Sequence, residues 1–496
     1  MILQSLIGLN FFSLVIILIM NNKKHLNQIR LITLSTSIIS FFFCLFLWWQ
    51  YDHCIQNFQY FFSMFNTIYF GCDGLSLSFL LLTTFLFPII ILVSWFQSDH
   101  NMKLLCGVLL SIELLLILVF STLDLFFFYI FFELLLLPMI ILIAQWGSDV
   151  RKNFAILYFF LYTLFGSLCM LIGLILIYYE IGTTNMQILF EFVLPEEKQK
   201  IIWWCFFIPF AIKIPMIPGH LWLLEAHPEA PTIGSMILAG LLLKLGSYGF
   251  LRVLLMIFNQ ATDYYRSIII IISLIGLIYA SLILLIQYDI KRIIAYSSIA
   301  HMNYGLLGLF SETIEGISGA LVLMVSHGFT SCGLFLLAGL LYDRFHERII
   351  YHYSGLLRIM PYMTSFFFLI ILSNFGFPGS LNFIGEVAIL FGVFDTANYV
   401  ALFSGIGLFL SLIYSILLFN RLFFGELIIG RLSERQKKKI ISKITLGYYI
   451  DLLRCEIYML LPLVLAILLL GLYPHSLLIL LEDVLIHIYF VLEHIY

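Results

Sequence analysis

Residues 213–231 read KIPMIPGHLWLLEAHPEAP, from Lys213 to Pro231. The stretch holds one lysine, two histidines, two glutamates and four prolines, yet IIWWCFFIPFAI runs directly before it and TIGSMILAGLLLKLGSYGF follows it, both long and apolar. Charges and helix breakers between two such runs need a reason, and that reason depends on what solvent surrounds the chain.

Composition identifies the solvent. Of 496 residues, 62% are hydrophobic and 11% are charged, with a mean hydropathy of +1.07, whereas a soluble chain carries about 25% charged residues. The chain reads as an integral membrane protein. A net charge of -3 with neither a basic patch nor an acidic tail sets nucleic acid aside as a partner. The eight cysteines are scattered singly, without a C-x-x-C pair, and read as small core hydrophobes. The apolar run from Ile2 to Met20 has no small-residue cleavage site after it and reads as a first span.

A crossing helix needs about 20 apolar residues. Fourteen runs qualify, near 2–21, 31–50, 75–96, 104–122, 124–146, 154–180, 201–222, 232–257, 267–287, 293–311, 316–342, 361–394, 399–424 and 456–480. The fold class is therefore an all-α polytopic membrane protein. Basic residues test the count, because they collect on one side of a membrane. Nineteen of the 25 lysines and arginines fall in loops after odd-numbered spans, including Lys23, Lys24, Lys103, Arg151, Lys291, Arg292, Arg348 and the cluster Arg431 to Lys443. Both termini then face the opposite side. The segment from Glu426 to Glu456 is basic and partly amphipathic, and reads as a headgroup-facing loop.

Ionisable residues within spans cost at least about 2.5 kcal/mol each on insertion scales, so each is a functional candidate by default. Glu113, Glu133, Lys213, Lys244, His301, His327 and Glu386 lie in spans 4, 5, 7, 8, 10, 11 and 12. A packing-only role is as good a reading as a functional one for Glu113 and His327. It fits the set Glu133, Lys213, Lys244 and Glu386 less well, since these sit near the middle of long spans. Pro209, Pro215 and Pro218 bracket Lys213, and Pro378 with Gly376 and Gly379 precedes Glu386, so spans 7 and 12 should each break. Broken membrane helices line hydrated cavities and mark transporter sites. The separation of Lys213 from Glu386, applied to Glu133, ends near His301. Spans 4–8 and 9–13 thus read as two repeats, and an odd count of five helices makes them inverted. The opening stretch then has its reason: the prolines open span 7 to water, Lys213 exchanges a proton there, and His220 and His227 continue a polar path toward one surface. A carboxylate such as Glu133 that approaches or withdraws changes how firmly Lys213 holds its proton.

FYIFFELLLLPMIILI around Glu133, FAIKIPMIPGHLWLLEAHPEAPTIGSMILAGLLLKLGSYGFLR around Lys213 and Lys244, QYDIKRIIAYSSIAHMN before and around His301, LVLMVSHGFTSCGLFLLAGLLYDR and PGSLNFIGEVAIL together resemble the antiporter-like membrane subunits of NADH:ubiquinone oxidoreductase, respiratory complex I, and among them the subunit 4 family. The resemblance runs from about residue 70 to 425. It implies a fourteen-helix core of two inverted five-helix repeats, a coupling ion pair of Glu133 and Lys213, Lys244 as central proton carrier, Glu386 as the terminal one, and His301 and His327 along the axis between them. One departure is Leu224, where the family pattern H-x-W-L-P-x-A-H has proline.

The domains expected are residues 1–100 with spans 1–3, 104–257 with the first repeat, 267–424 with the second, and 425–496 with the basic loop and last span. The chain shows no dinucleotide fingerprint and no iron–sulfur or haem motif. No cofactor is therefore expected in it, and the resemblance places NADH, flavin, iron–sulfur clusters and ubiquinone in partner subunits. Expected partners are the other membrane subunits of complex I, especially adjacent antiporter-like ones, and membrane lipids, cardiolipin among them. The rival readings are a large subunit of an Mrp-type sodium/proton antiporter and a passive scaffold whose charges only pin helices. Richness in Phe, Ile, Leu and Tyr without a presequence favours the mitochondrial inner membrane, with basic loops toward the matrix, over a bacterial one.

Overall fold

The computed structural model describes residues 1–20, 25–52, 58–64, 68–96, 101–148, 151–426, 451–482 and 485. Lys23, Lys24, the basic cluster Arg431 to Lys443 and most of the segment after Glu426 lie outside the described residues. The helices are α1 (Ile2–Ile19), α2 (Leu26–Gln50), α3 (Gly74–Ser94), α4 (Met102–Ser121), α5 (Leu125–Leu134), α6 (Leu136–Trp146), α7 (Lys152–Ile181), α8 (Met186–Glu191), α9 (Glu196–Lys213), α10 (Leu221–Glu229), α11 (Thr232–Ile237), α12 (Leu243–Gly249), α13 (Asn259–Ile286), α14 (Ile290–Leu309), α15 (Ile314–Phe345), α16 (Pro361–Asn374), α17 (Leu381–Thr396), α18 (Asn398–Phe423) and α19 (Arg454–Leu472). Among the described residues, eleven helical segments are long and apolar enough to cross a membrane, α5 and α6 counting as one and Thr232–Leu255 as another. The remaining three of fourteen crossings are α14 and the broken pairs α9/α10 and α16/α17.

Local sequence sets where these elements start and bend. Asp73, Asp124, Asp289, Thr313 and Ser380 cap α3, α5, α14, α15 and α17 with side-chain acceptors for first-turn amides. Pro138 withholds the amide that would bond the Leu134 carbonyl, and the fifth crossing is interrupted there, at Leu135. Pro209 behaves differently from expectation. It lies inside α9, which continues to Lys213, and the break comes over residues 214–220. Pro88, Pro228 and Pro462 likewise lie inside continuous helices, and α7 packs its Gly166 closely against Pro209, where a Cβ would stand 3.0 Å from the Pro209 Cα. Two π-helical segments, Leu238–Leu242 and Phe250–Leu255, flank α12 in the eighth crossing. A two-stranded hairpin, β1 (Gln59–Met64) with β2 (Ile68–Cys72), joins α2 to α3. Its aromatic and β-branched residues are good strand formers, and Phe62 stacks on Phe70 at 4.9 Å.

The two halves carry the same connections. An isolated antiparallel bridge joins Asp124, at the start of the fifth crossing, to Asn185 after the sixth, and another joins Asp289, at the start of the tenth, to Ile349 after the eleventh. The bridging bonds match: Leu125 N to Thr184 O and Met186 N to Leu123 O in one, Ile290 N to Arg348 O and Ile350 N to Tyr288 O in the other. The breaks match as well, since Met216 N donates to Ala211 O and Phe377 N to Leu372 O, each spanning five residues. The broken crossing is fourth in each run of five. Five crossings per run put the second copy upside down relative to the first.

Candidate functional site

The buried ionisable residues lie along the interior of this bundle in two groups. In the second group, the π-helical turn presents the Ala239 carbonyl to the Lys244 ammonium at 2.6 Å, and the same ammonium contacts Nδ1 of His327 at 2.8 Å. Gly240 and Gly328 make this contact possible. A Cβ on Gly328 would stand 3.2 Å from the Gly240 carbonyl oxygen, so α15 meets the π-helical segment backbone to backbone one residue from His327. The His327 and His301 rings lie 5.7 Å apart between centroids. Beyond them, His301 Nδ1 is 3.5 Å from Glu386 Oε1. Lys244, His301, His327 and Glu386 are each at most 5% exposed.

The break in the twelfth crossing shapes the far end of the row. Gly376 has φ of +69°, and a Cβ there would stand 2.1 Å from Oε2 of Glu386, so the carboxyl group rests against bare backbone. Two tyrosines hold the neighbourhood: Tyr304 donates to the Glu386 backbone carbonyl at 2.8 Å, and the Tyr414 hydroxyl lies 3.3 Å from Nε2 of His301. Asn382 is fully buried with neither amide atom bonded to protein, and the Ser373 hydroxyl and Glu386 Oε1 likewise make no protein hydrogen bond. Buried polar atoms of this kind are ordinarily served by water.

The first group is Glu133 and Lys213. Lys213 ends α9 at the break, where Trp222 Nε1 donates to the Ile212 carbonyl that the break frees. Its ammonium stands over the Phe132 ring at 4.7 Å and 5.9 Å from that of Phe159. No Glu133 oxygen comes within the 4.0 Å of an ion pair with Lys213, and Oε2 of Glu133 makes no hydrogen bond. Their charges still act on each other across the gap, without an ion pair. Gly246 of α12 packs against Ile214 and the Phe210 carbonyl, which sets Lys244 two residues from the Lys213 break.

His220 and His227 occupy α10 and the turn before it. Both ring nitrogens of His227 lack a protein partner; its ring stacks on Phe335 at 4.7 Å, and His220 meets Tyr279 edge-on. From His227 the polar residues continue to the basic side. Lys291 donates to the Ala230 carbonyl at 2.7 Å, Arg348 lies 3.8 Å from Glu229, and Glu225 lies 3.5 Å from Arg292 and 3.8 Å from Arg151. Leu224 is a buried member of the continuous helix α10. Glu113 stands apart from the row: its Oε1 accepts from Ser40 of α2 at 2.6 Å.

Sequence reasoning passed over Lys291, Tyr304, Tyr414, Ser373 and Asn382. Lys291 counts as a loop cation until Asp289 is seen capping α14 two residues before it, a signal that the motif D-I-K carries. The others are uncharged, and only packing separates them from ordinary polar residues. Among the described residues no group of three or more His, Cys, Asp or Glu could hold a metal ion.

The family described as NADH:quinone oxidoreductase/Mrp antiporter, TM, matches residues 122–413. NADH-ubiquinone oxidoreductase chain 4 of Chondrus crispus is 46% identical over 472 residues, covering 93% of this chain and 92% of that one. A chain of respiratory complex I from Thermus thermophilus, solved with bound NADH, superposes with a TM-score of 0.86 at 26% identity, over 99% of this chain and 100% of that chain. A chain of the Mrp complex from a Dietzia species shares the fold at a TM-score of 0.81 and 19% identity, over 98% and 97% of the two chains.

Proposed function

The chain belongs to the NADH-ubiquinone oxidoreductase chain 4 family, the antiporter-like, proton-translocating subunits of the membrane arm of respiratory complex I, and on that premise we propose that Lys244, His327, His301 and Glu386 carry the proton, with Glu133 and Lys213 controlling its entry to the row. The observation that supports this most is the run of ionisable groups from Lys244 to Glu386, spaced at 2.8 Å, 5.7 Å between rings and 3.5 Å, deep inside the bundle.

The chemistry follows from donor and acceptor roles. The Lys244 ammonium has donors only, so His327 Nδ1 faces it as acceptor and takes the proton. An imidazole that gains a proton on one nitrogen can release one from the other. His301 then receives it, through a bridging water or a ring rotation, and passes it to Glu386 through Nδ1. Tyr414 holds the His301 ring from its other nitrogen. His227 and Lys291 form the branch that joins Lys244 to the basic side. The Glu133–Lys213 pair acts as the gate because it has two arrangements available, separated as here or closed into an ion pair. Breaking a buried pair is worth about 3–5 kcal/mol, enough to offset the roughly 2.3 kcal/mol per charge that each 100 mV of membrane potential imposes.

Quinone reduction in partner subunits, which also hold the nicotinamide, flavin and iron–sulfur sites, drives the gate. Adjacent antiporter-like subunits flank this one in the membrane arm. The mitochondrial inner membrane, with basic loops toward the matrix, is the location that fits a composition of 50 Phe and 27 Tyr. The two inverted repeats, 104–257 and 267–424, meet at this row, Lys244 coming from the first and His327, His301 and Glu386 from the second. The test is Lys244→Met in the intact respiratory assembly: the protons moved per NADH oxidised should fall by about tenfold or more, with the assembly still formed on native gels. Loss of assembly together with pumping supports a scaffold role instead. Migration of the chain with membrane subunits that lack NADH oxidation supports sodium/proton exchange.

A further inference from the structure

We propose that the groove between α1, α4 and α6 binds one anionic phospholipid, its headgroup at Lys103 and one acyl chain along α4. The groove has a volume of about 410 Å³ and is lined by Leu14 and Leu18 of α1, by Leu104, Gly107 and Ser111 of α4, and by Leu137 and Ile141 of α6, among others. Gly107 leaves its floor open, with no atom within 4 Å of where a Cβ would stand. The walls are apolar apart from the mouth, and the Ser111 hydroxyl is already spent on the Val108 carbonyl at 2.7 Å. Water finds too few polar partners there.

Charge and depth together select the occupant. Lys103 and Asn101 stand at the mouth, on the side where basic residues collect, which is where anionic headgroups attract lysine. The Lys103 ammonium uses one donor on the Leu18 carbonyl at 2.8 Å and keeps two for a ligand. Asn101 caps the 20-residue α4 without a side-chain hydrogen bond, so the first amides of that helix face the same mouth. From Lys103 to Ser111 the helix rises about 12 Å at 1.5 Å per residue, close to the roughly 15 Å of one leaflet. A cation at headgroup level over an apolar trough one leaflet deep matches a phospholipid in both charge and length.

The test uses the intact respiratory assembly in phosphatidylcholine vesicles containing phosphatidylglycerol with a diazirine in its acyl chain. After illumination and digestion, adducts should map to Gly107–Ser111 and Leu137–Ile141. Excess unlabelled phosphatidylglycerol should displace them, and excess phosphatidylcholine should not. Lys103→Glu should reduce labelling by at least about fivefold with quinone reductase activity unchanged, and Gly107→Phe should abolish it by filling the floor. If Gly107→Phe fails to assemble, the competition and Lys103→Glu still decide. Equal displacement by both lipids, indifference to Lys103→Glu, or cross-links from these positions to a neighbouring subunit would each overturn the proposal. None of these results depends on the proton row.

Discussion

At the scale of single residues, the site rests on atoms whose neighbours leave no slack. Gly376→Ala puts a methyl group 2.1 Å from Glu386 Oε2 and forces a left-handed φ of +69° on a residue with a Cβ. The cost is about 1–3 kcal/mol of strain, and the carboxyl group must swing away from His301. Pumping measured in vesicles should fall severalfold while the subunit still assembles; unchanged pumping would mean that Glu386 needs no fixed position. Tyr414→Phe tests the support of His301. The ring keeps its packing but loses the hydroxyl 3.3 Å from Nε2, a change worth about 1 kcal/mol. A drop of roughly fivefold in the pumping rate is expected, with assembly unaffected. The charged members of the row were legible in the sequence because a charge in an apolar span announces itself. Tyr414 and Asn382 were not, because polar uncharged residues are common in membrane helices and only contact shows which are used.

At the scale of elements, a bidentate pair pins the eighth crossing to the start of the third. Arg252 donates to both oxygens of Asp73, at 2.7 and 2.6 Å, and its guanidinium lies 4.9 Å from the Phe58 ring. Asp73 also caps α3 by accepting from Ser76 N. Burial alone would raise the Asp73 carboxyl; the Arg252 charge and hydrogen bonds, with those of Ser76, outweigh it and hold the group below the usual carboxylate range. A lowered folded value contributes stability above the unfolded value near 4, and that contribution is lost as pH falls further. Asp73→Asn should therefore destabilise the purified assembly by about 3–5 kcal/mol at every pH from 8 down to 5, with the gap to wild type closing below pH 4 in thermal unfolding. A gap that varied between pH 5 and 8 would show that some other group titrates with it. The breaks at spans 7 and 12 follow from their Pro and Gly residues, but whether one proline breaks a helix was not legible: Pro209 lies inside α9, and the break comes after Lys213.

At the scale of the whole molecule, the paired bridges at Asp124 and Asp289 lie at the starts of equivalent crossings in oppositely oriented halves. Single cysteines replacing Glu191, after the sixth crossing, and Ser354, in the equivalent place after the eleventh, should therefore react with a membrane-impermeant thiol reagent from opposite sides of sealed vesicles. Reaction from the same side would remove the inverted arrangement.

The sequence by itself determined that the chain lies in a membrane, where its crossings fall and which charges lie inside, since insertion energy acts on residues one span at a time. Tertiary structure alone decided which of these charges touch. Lys244 meets His327 because Gly240 and Gly328 let two backbones close together, and Lys213 stands over an aromatic ring and apart from Glu133. Such contacts join residues far apart in the chain and depend on how helices rotate against one another, which no local pattern encodes.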